Sequence, residues 1–262
     1  MIVHEYEDGY LLEGDGLSDT FFDFVKSRIG KVHFINIDPP YGNIVDETWD
    51  KTSLSQKQFC DWMLDFTVKL SSLLEQDSAI HIWGGIGIPK FRPFPEYMSR
   101  IEAETSLTIC NLITWSKRRA YGVQNNYLFT REECLFLTNG DKTHPRVFNI
   151  PLLSEKRGYK GFNEKYPAKS EYKRRTNVWT DVTELFRGKI HPTQKPTELI
   201  EISVQTHCNP GEWVLDCFAG SGSVALAARK NGRKFVVCEK DPEHSKVLLN
   251  ALGAPHSTFE YP

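Results

Sequence analysis

No two cysteines of this chain stand in a Cys-x-x-Cys pair, and the six thiols (Cys60, Cys110, Cys134, Cys208, Cys217 and Cys238) are widely scattered. That spacing argues against a zinc ribbon or a dithiol redox motif and favours buried, reduced thiols over disulfides. His81, His191 and His207 likewise lack the spacing of metal ligands, so no metal is expected. No apolar run approaches the roughly 20 residues of a membrane span. The stretch from Met1 to Glu7 is acidic and lacks the apolar core of a secretory signal, so the expectation is a cytoplasmic protein without a membrane contact. Internal repeats and low-complexity tracts are missing too. A net charge of −2 leaves no overall excess of either sign, which argues against a surface coated in nucleic acid. What remains is ordinary for a folded protein: 262 residues with hydrophobic and charged fractions of 40% and 25%. The simplest organisation is a single α/β domain, 1–262, carrying one insertion.

Within that chain the apolar run Val32-His33-Phe34-Ile35-Asn36-Ile37 stops at Asp38-Pro39-Pro40-Tyr41. The run reads as a buried strand, and the two prolines make its carboxyl end rigid. An open α/β sheet puts its chemistry at such ends. A carboxylate, a proline carbonyl with no N–H nearby and an aromatic ring suit a flat ring bearing an exocyclic amino group. Asp38 and Pro39 can accept its two hydrogens and Tyr41 can stack on it. An ordinary Asp-Pro exit turn fits these four residues equally well.

A second pattern lies far downstream. The short strand Trp213-Val214-Leu215-Asp216 leads through Cys217-Phe218-Ala219-Gly220-Ser221-Gly222-Ser223 into the helix-forming stretch Val224 to Arg229. Its glycines let the backbone approach a cofactor beside a helix amino terminus. The next strand, Lys234 to Cys238, ends on Glu239, where a carboxylate suits the hydroxyls of a ribose. Such a turn also fits a dinucleotide binder, although the usual third glycine is missing.

Taken together, the two patterns resemble the amino-methyltransferases that act on DNA bases with S-adenosylmethionine. Asp38 to Tyr41 match that family's Asp-Pro-Pro-Tyr motif, and Phe218 to Gly222 its Phe-x-Gly-x-Gly cofactor motif. His191-Pro192-Thr193-Gln194-Lys195-Pro196 matches its His-Pro-x-x-Lys-Pro segment. The catalytic motif precedes the cofactor motif, as in the β class. The resemblance implies a Rossmann-like α/β fold, mostly parallel with an antiparallel hairpin edge and a circularly permuted motif order. It implies S-adenosyl-L-methionine as cofactor, double-stranded DNA as partner, a possible homodimer, and DNA methylation of the restriction-modification kind. Asp38, Pro39, Pro40 and Tyr41 would be catalytic. Asp15, Asp38, Thr193, Lys195, Asp216, Phe218, Ala219, Gly220, Ser221, Gly222 and Glu239 would hold the cofactor, with Thr193 and Lys195 near its methionine part. An Asp at the first motif position is more typical of adenine N6 enzymes. Cytosine N4 methylation, RNA adenine methylation and a non-catalytic nucleic-acid-binding relative are the alternatives.

The remaining signals concern charge and order. From Lys142 to Arg175, ten Lys or Arg face three Glu, so this segment carries +7 and the rest of the chain −9. Basic residues interleaved with Tyr and Trp suit phosphate contacts and stacking. The irregular stretch 139–189 is therefore expected to be an inserted target-recognition region, with Lys156, Arg157, Lys173, Arg174 and Arg175 on DNA. Lys117, Arg118 and Arg119, set between two strand patterns, form a second candidate contact. Ser53 or Ser55 caps a helix with Phe59, Trp62, Phe66 and Leu70 on one stripe. Trp49 is read as a plug of the loop after Tyr41. Little chain follows Glu239, so the strand around Tyr10 to Leu12 is expected to complete the cofactor half of the sheet. That would bring Asp15 to the same edge, and a helix from Pro242 to Leu252 would leave only a tail.

Overall fold

The computed structural model describes the whole chain except residues 43–49, 89, 123, 141–142, 158–169 and 185–193, together with the side chain at 121. In chain order the first half holds β1 (Ile2–Tyr6), β2 (Gly9–Glu13), α1 (Asp19–Arg28), β3 (Val32–Ile37), α2 (Gln56–Ser71), β4 (Leu74–Gly84) and α3 (Pro93–Glu104). Then come β5 (Thr108–Tyr121), β6 (Phe129–Thr138), β7 (Leu152–Lys156), β8 (Tyr172–Arg174) and β9 (Val178–Trp179). The chain continues with α4 (Thr197–His207), β10 (Trp213–Asp216), α5 (Ser223–Lys230), β11 (Lys234–Glu239), α6 (Pro242–Leu252) and β12 (Ser257–Glu260).

Ten of these strands form one sheet in the order β12-β1-β2-β11-β10-β3-β4-β6-β5-β9. The five from β2 to β4 run parallel. Their sequences are nearly continuous apolar runs because both sheet faces are covered. On one face Ile35, Ile37, Leu215 and Val236 pack with Phe21, Phe24, Phe59, Phe66 and Tyr97 from α1, α2 and α3. On the other, Phe34, Val214, Phe235 and Val237 pack with Leu199, Val224, Ala228 and Leu248 from α4, α5 and α6. The result is three layers, helix over sheet over helix.

The expected third strand of the cofactor half is β2, which pairs in parallel with β11 from Phe235 opposite Gly9 to Glu239 opposite Glu13. The hairpin edge of β4, β6 and β5 is present and antiparallel. A second antiparallel edge was not foreseen. The residues after α6 are not a tail but β12, which pairs with β1 from Ile2 opposite Glu260 to Glu5 opposite Ser257. Lys117, Arg118 and Arg119 do not lie between strands either: β5 runs through them to Tyr121. Ser55, not Ser53, caps α2, in a capping box with Gln58. Within 139–189, β7 and β8 form a separate hairpin and β9 joins the large sheet. Trp49 and the aromatic residues Tyr159, Phe162 and Tyr166 lie outside the described residues. Among the described residues no helix is long and apolar enough to cross a membrane.

Candidate active site

The chain leaves β3 toward β4 on one side and leaves β10 toward β11 on the other, while β3 and β10 are paired neighbours. Their carboxyl ends therefore open a crevice at a topological switch point, where open α/β sheets bind ligands. A cleft of about 750 Å³ occupies that place. It brings together Asp38, Pro39, Pro40 and Tyr41 after β3 with Asp216, Phe218, Ala219, Gly220 and Ser221 after β10. Asp15, Lys195 and Glu239 line it as well. Gly222 stands just behind the lining as the N-cap of α5, and Thr193, like His191 and Pro192, lies outside the described residues.

The cofactor-type turn is held by its own carboxylates. Asp216 accepts the Phe218 N–H at 2.9 Å, and Glu239 accepts the N–H of Gly220 at 2.6 Å and of Asp241 at 2.8 Å. Gly222 has φ +83°, and a Cβ there would lie 2.0 Å from Leu248 Cδ1. Only glycine lets α6 pack so closely on the turn. Gly16 has a similar reason, since its Cβ would lie 2.4 Å from the Cys217 carbonyl, and so the turn bearing Asp15 rests on the end of β10. Burial pushes the Asp216 carboxyl up to about 8, against the pull of the Phe218 N–H, with the Asp38 and Glu239 charges adding to the rise. Asp15 is the reverse case. Burial raises it, but the Leu17 N–H and the Lys240 ammonium outweigh that and leave it below the usual carboxylate range.

Around Asp38 the geometry is tighter. The Tyr41 hydroxyl donates to Asp38 Oδ1 at 2.7 Å, and the Lys195 ammonium pairs with Asp38 Oδ2. Lys195 is only 5% exposed, donates to the Tyr41 hydroxyl oxygen at 3.2 Å and approaches Glu132 Oε2 at 3.3 Å. The family resemblance assigns Lys195 to the methionine end of a cofactor; in the structure its ammonium sits on the Asp-Pro-Pro-Tyr turn. Burial raises the Asp38 carboxyl more than Lys195 lowers it. Burial works the same way on Glu132, but Lys195 and Lys117 overcome it and hold that group low. A buried ion pair of this kind is costly to break from one side.

Several lining or supporting residues escaped the sequence reading. Trp62, assigned to the core stripe of α2, and Trp83, at the end of β4, both line the cleft, with the Trp83 Nε1–H donating to Asn36 Oδ1 at 3.0 Å. Asp50, buried, accepts the N–H groups of Tyr41 at 2.6 Å and Gly42 at 2.8 Å and so fixes the turn from the far side of residues 43–49. Glu132 was readable in principle. It alternates with the buried Cys134 and Phe136 along β6, and a carboxylate on a buried strand face calls for a partner. Among the described residues no group of His, Cys, Asp and Glu is arranged to hold a metal ion.

Over residues 32–250 the chain matches the family described as DNA methylase. It belongs to that family. The methylase is 28% identical to the type II methyltransferase M1.MboII of Moraxella bovis, over 88% of its own length and 94% of that protein. It is 26% identical to the DNA adenine methyltransferase YhdJ of Escherichia coli (strain K12), over 95% and 85%. Among solved structures it shares its fold with the M1.HpyAVI–SAM complex, at TM-score 0.62, 22% identity and coverage of 93% and 99%. The cytosine-N4-specific PvuII DNA methyltransferase gives TM-score 0.71, 16% identity and coverage of 97% and 89%.

The basic residues proposed for DNA are arranged unequally in the methylase. Arg118 and Arg119 are exposed on β5, with their backbone N–H groups held by the Glu184 carboxylate at 2.9 and 2.6 Å. Arg174 is exposed at the end of β8. Arg157 donates to the Tyr172 carbonyl at 3.0 Å, while Lys156 and Lys173 pair with Glu171 and Glu155 across the hairpin. Two others are turned inward. Arg175 is 9% exposed, forks onto Asp181 and lies over the Trp179 ring, and Lys117 pairs with Glu132 beside the cleft.

Proposed function

We propose that this DNA methylase transfers a methyl group from S-adenosylmethionine to the exocyclic N6 of adenine at a specific site in double-stranded DNA. One observation carries the reading: Asp38 to Tyr41 and the Asp216 to Ser221 turn share one cleft at the adjoining ends of β3 and β10. A donor set of Asp15, Asp216 and Glu239 with the backbone of Phe218 to Ser221 suits a cationic nucleoside, its ribose and its adenine. When bound, the cofactor supplies an electrophilic methyl on a positively charged sulfur.

The target amino group is paired and stacked in duplex DNA, so the nucleotide turns out of the stack into the cleft, at a cost of a few kcal/mol. Asp38 and the Pro39 carbonyl accept its two hydrogens, which directs the nitrogen lone pair outward, and Tyr41 stacks on the ring. No side chain acts as a nucleophile, so these residues work by positioning and electrostatics. Residues 139–189 serve as the target-recognition region, and Arg118, Arg119 and Arg174 contact phosphates. The adenine assignment is supported by the Asp at the first motif position and by the likeness to an adenine methyltransferase. A cytoplasmic location and a possible homodimer go with this reading.

The test is incubation with isotopically labelled S-adenosylmethionine and mixed-sequence duplex DNA, followed by mass spectrometry of the digested nucleosides. Labelled N6-methyladenine is the expected product. N4-methylcytosine would correct the base and keep the mechanism, whereas unlabelled DNA with bound cofactor would overturn the reading and call for RNA next.

A further inference from the structure

Both oxygens of Asp38 are engaged in the structure, Oδ1 by the Tyr41 hydroxyl and Oδ2 by the Lys195 ammonium. An incoming amino group needs one of them. Lys195 is buried and its ammonium lies over the Trp83 ring at 5.1 Å, so it cannot be released without another counter-charge. A second carboxylate stands ready. Glu132 Oε2 is 3.3 Å from the ammonium, buried, and has no aligned hydrogen bond among the described residues. Its other oxygen is held by Lys117 from β5. With one oxygen anchored and the other turned to Lys195, Glu132 is built to hold a second cation.

We propose that Glu132 is a positioning residue that receives Lys195 when the target amino group displaces it from Asp38, so that Asp38 Oδ2 is masked until a base enters the cleft. This inference rests on the reading of Asp38 as the acceptor of the base amino group. The transfer moves the ammonium over a short path between two carboxylates, so Lys195 keeps a counter-charge while Asp38 is held by hydrogen bonds from the Tyr41 hydroxyl and the base amino group. Tyr41 stays on Oδ1 throughout and keeps the carboxylate oriented. Without the Glu132 charge, Lys195 stays on Asp38 and competes with the base at every turnover.

A double-mutant cycle on the full-length enzyme tests the handover. Glu132→Gln is expected to lower kcat on mixed-sequence duplex DNA about tenfold or more and to leave S-adenosylmethionine affinity within about twofold. In a Lys195→Gln background, where no cation holds Asp38 Oδ2, the same change is expected to cost less than about threefold. An equal loss in both backgrounds means a structural role for Glu132 and overturns the inference. So does unchanged turnover of Glu132→Gln, or a Lys195→Gln enzyme that binds cofactor but has no turnover. Failure of the wild-type protein to label any base would instead sink the proposed function itself. If thermal unfolding shows that Glu132→Gln is not folded, Glu132→Asp keeps the charge, shortens the reach and is measured in the same two backgrounds, with loss expected only where Lys195 is present.

Discussion

Asp38, half-buried, and Asp216, buried, are carboxylates at the ends of adjacent strands, and burial raises both, yet their surroundings differ. Asp38 has a cation and a hydroxyl on it, whereas Asp216 has the Phe218 N–H and two neighbouring anions, Asp38 and Glu239. Asp38→Ala is therefore expected to abolish methylation, by about a thousandfold or more, and to leave cofactor binding largely intact. Retained turnover in a single-turnover assay would remove Asp38 from its role. Asp216 predicts a pH dependence. With its carboxyl at about 8, it is mostly protonated at neutral pH, and a cationic cofactor favours the ionised form. Affinity for S-adenosylmethionine is thus expected to rise from pH 7 to pH 9, with proton release on binding. Calorimetry in two buffers of different ionisation enthalpy checks this, and an affinity flat with pH and no proton release contradicts it.

At the scale of elements, the glycine at the start of α5 and the cap of α2 carry separate expectations. Gly222→Ala adds a Cβ against Leu248 at a positive φ, so it should destabilise the fold by about 1–3 kcal/mol and weaken cofactor binding together. A denaturant midpoint unchanged by the substitution counts against that packing. Ser55→Ala, on the far end of α2, should cost about 1 kcal/mol and leave cofactor affinity alone. These two elements were legible in the sequence because their signals are local, a glycine turn between an apolar strand and a helix and an apolar stripe behind a serine, although the choice between Ser53 and Ser55 as the cap was left to the structure. The strand ending at Asp38 was legible too, since prolines and apolar runs are read without knowing the partner. β12 was not legible, because Ser257 to Glu260 becomes a strand only by pairing with β1 at the other end of the chain, and β1, which pairs with β2 as well, was not read as a strand. Asp50 was missed because its partners, the N–H groups of Tyr41 and Gly42, are set by the fold rather than by spacing, whereas Glu132 left only the trace of a carboxylate on a buried strand face.

For the whole molecule, the face of the sheet under α4 holds a pair of buried histidines. His81 and His207 have ring centroids 4.8 Å apart among Phe34 and Phe136. Burial carries His207 down to about 3 and His81 well below its ordinary value, where His207 adds to the effect. Between pH 6.5 and about 3 the unfolded chain binds a proton at His207 that the folded protein refuses, so stability falls with acid by about 1.4 kcal/mol per pH unit for that group, and His81 acts in the same direction. Asp216 has the opposite sign over the same range, since its folded form keeps the proton. The difference between wild type and His207→Gln isolates the term: the variant's disadvantage at pH 7 should shrink at pH 5, and a constant gap between the unfolding curves contradicts it.

The order of strands in the sheet has a consequence for how the chain is made. β11 and β10 fill the slot between β2 and β3, but a ribosome delivers them long after both. Until they emerge, β2 and β3 of a nascent chain lack the strands that stand between them, and the cleft lacks the Asp216 to Ser221 part of its lining. Unpaired strand edges are surface of the kind that chaperones cover, and the lining of the cleft cannot be complete until synthesis has passed Glu239.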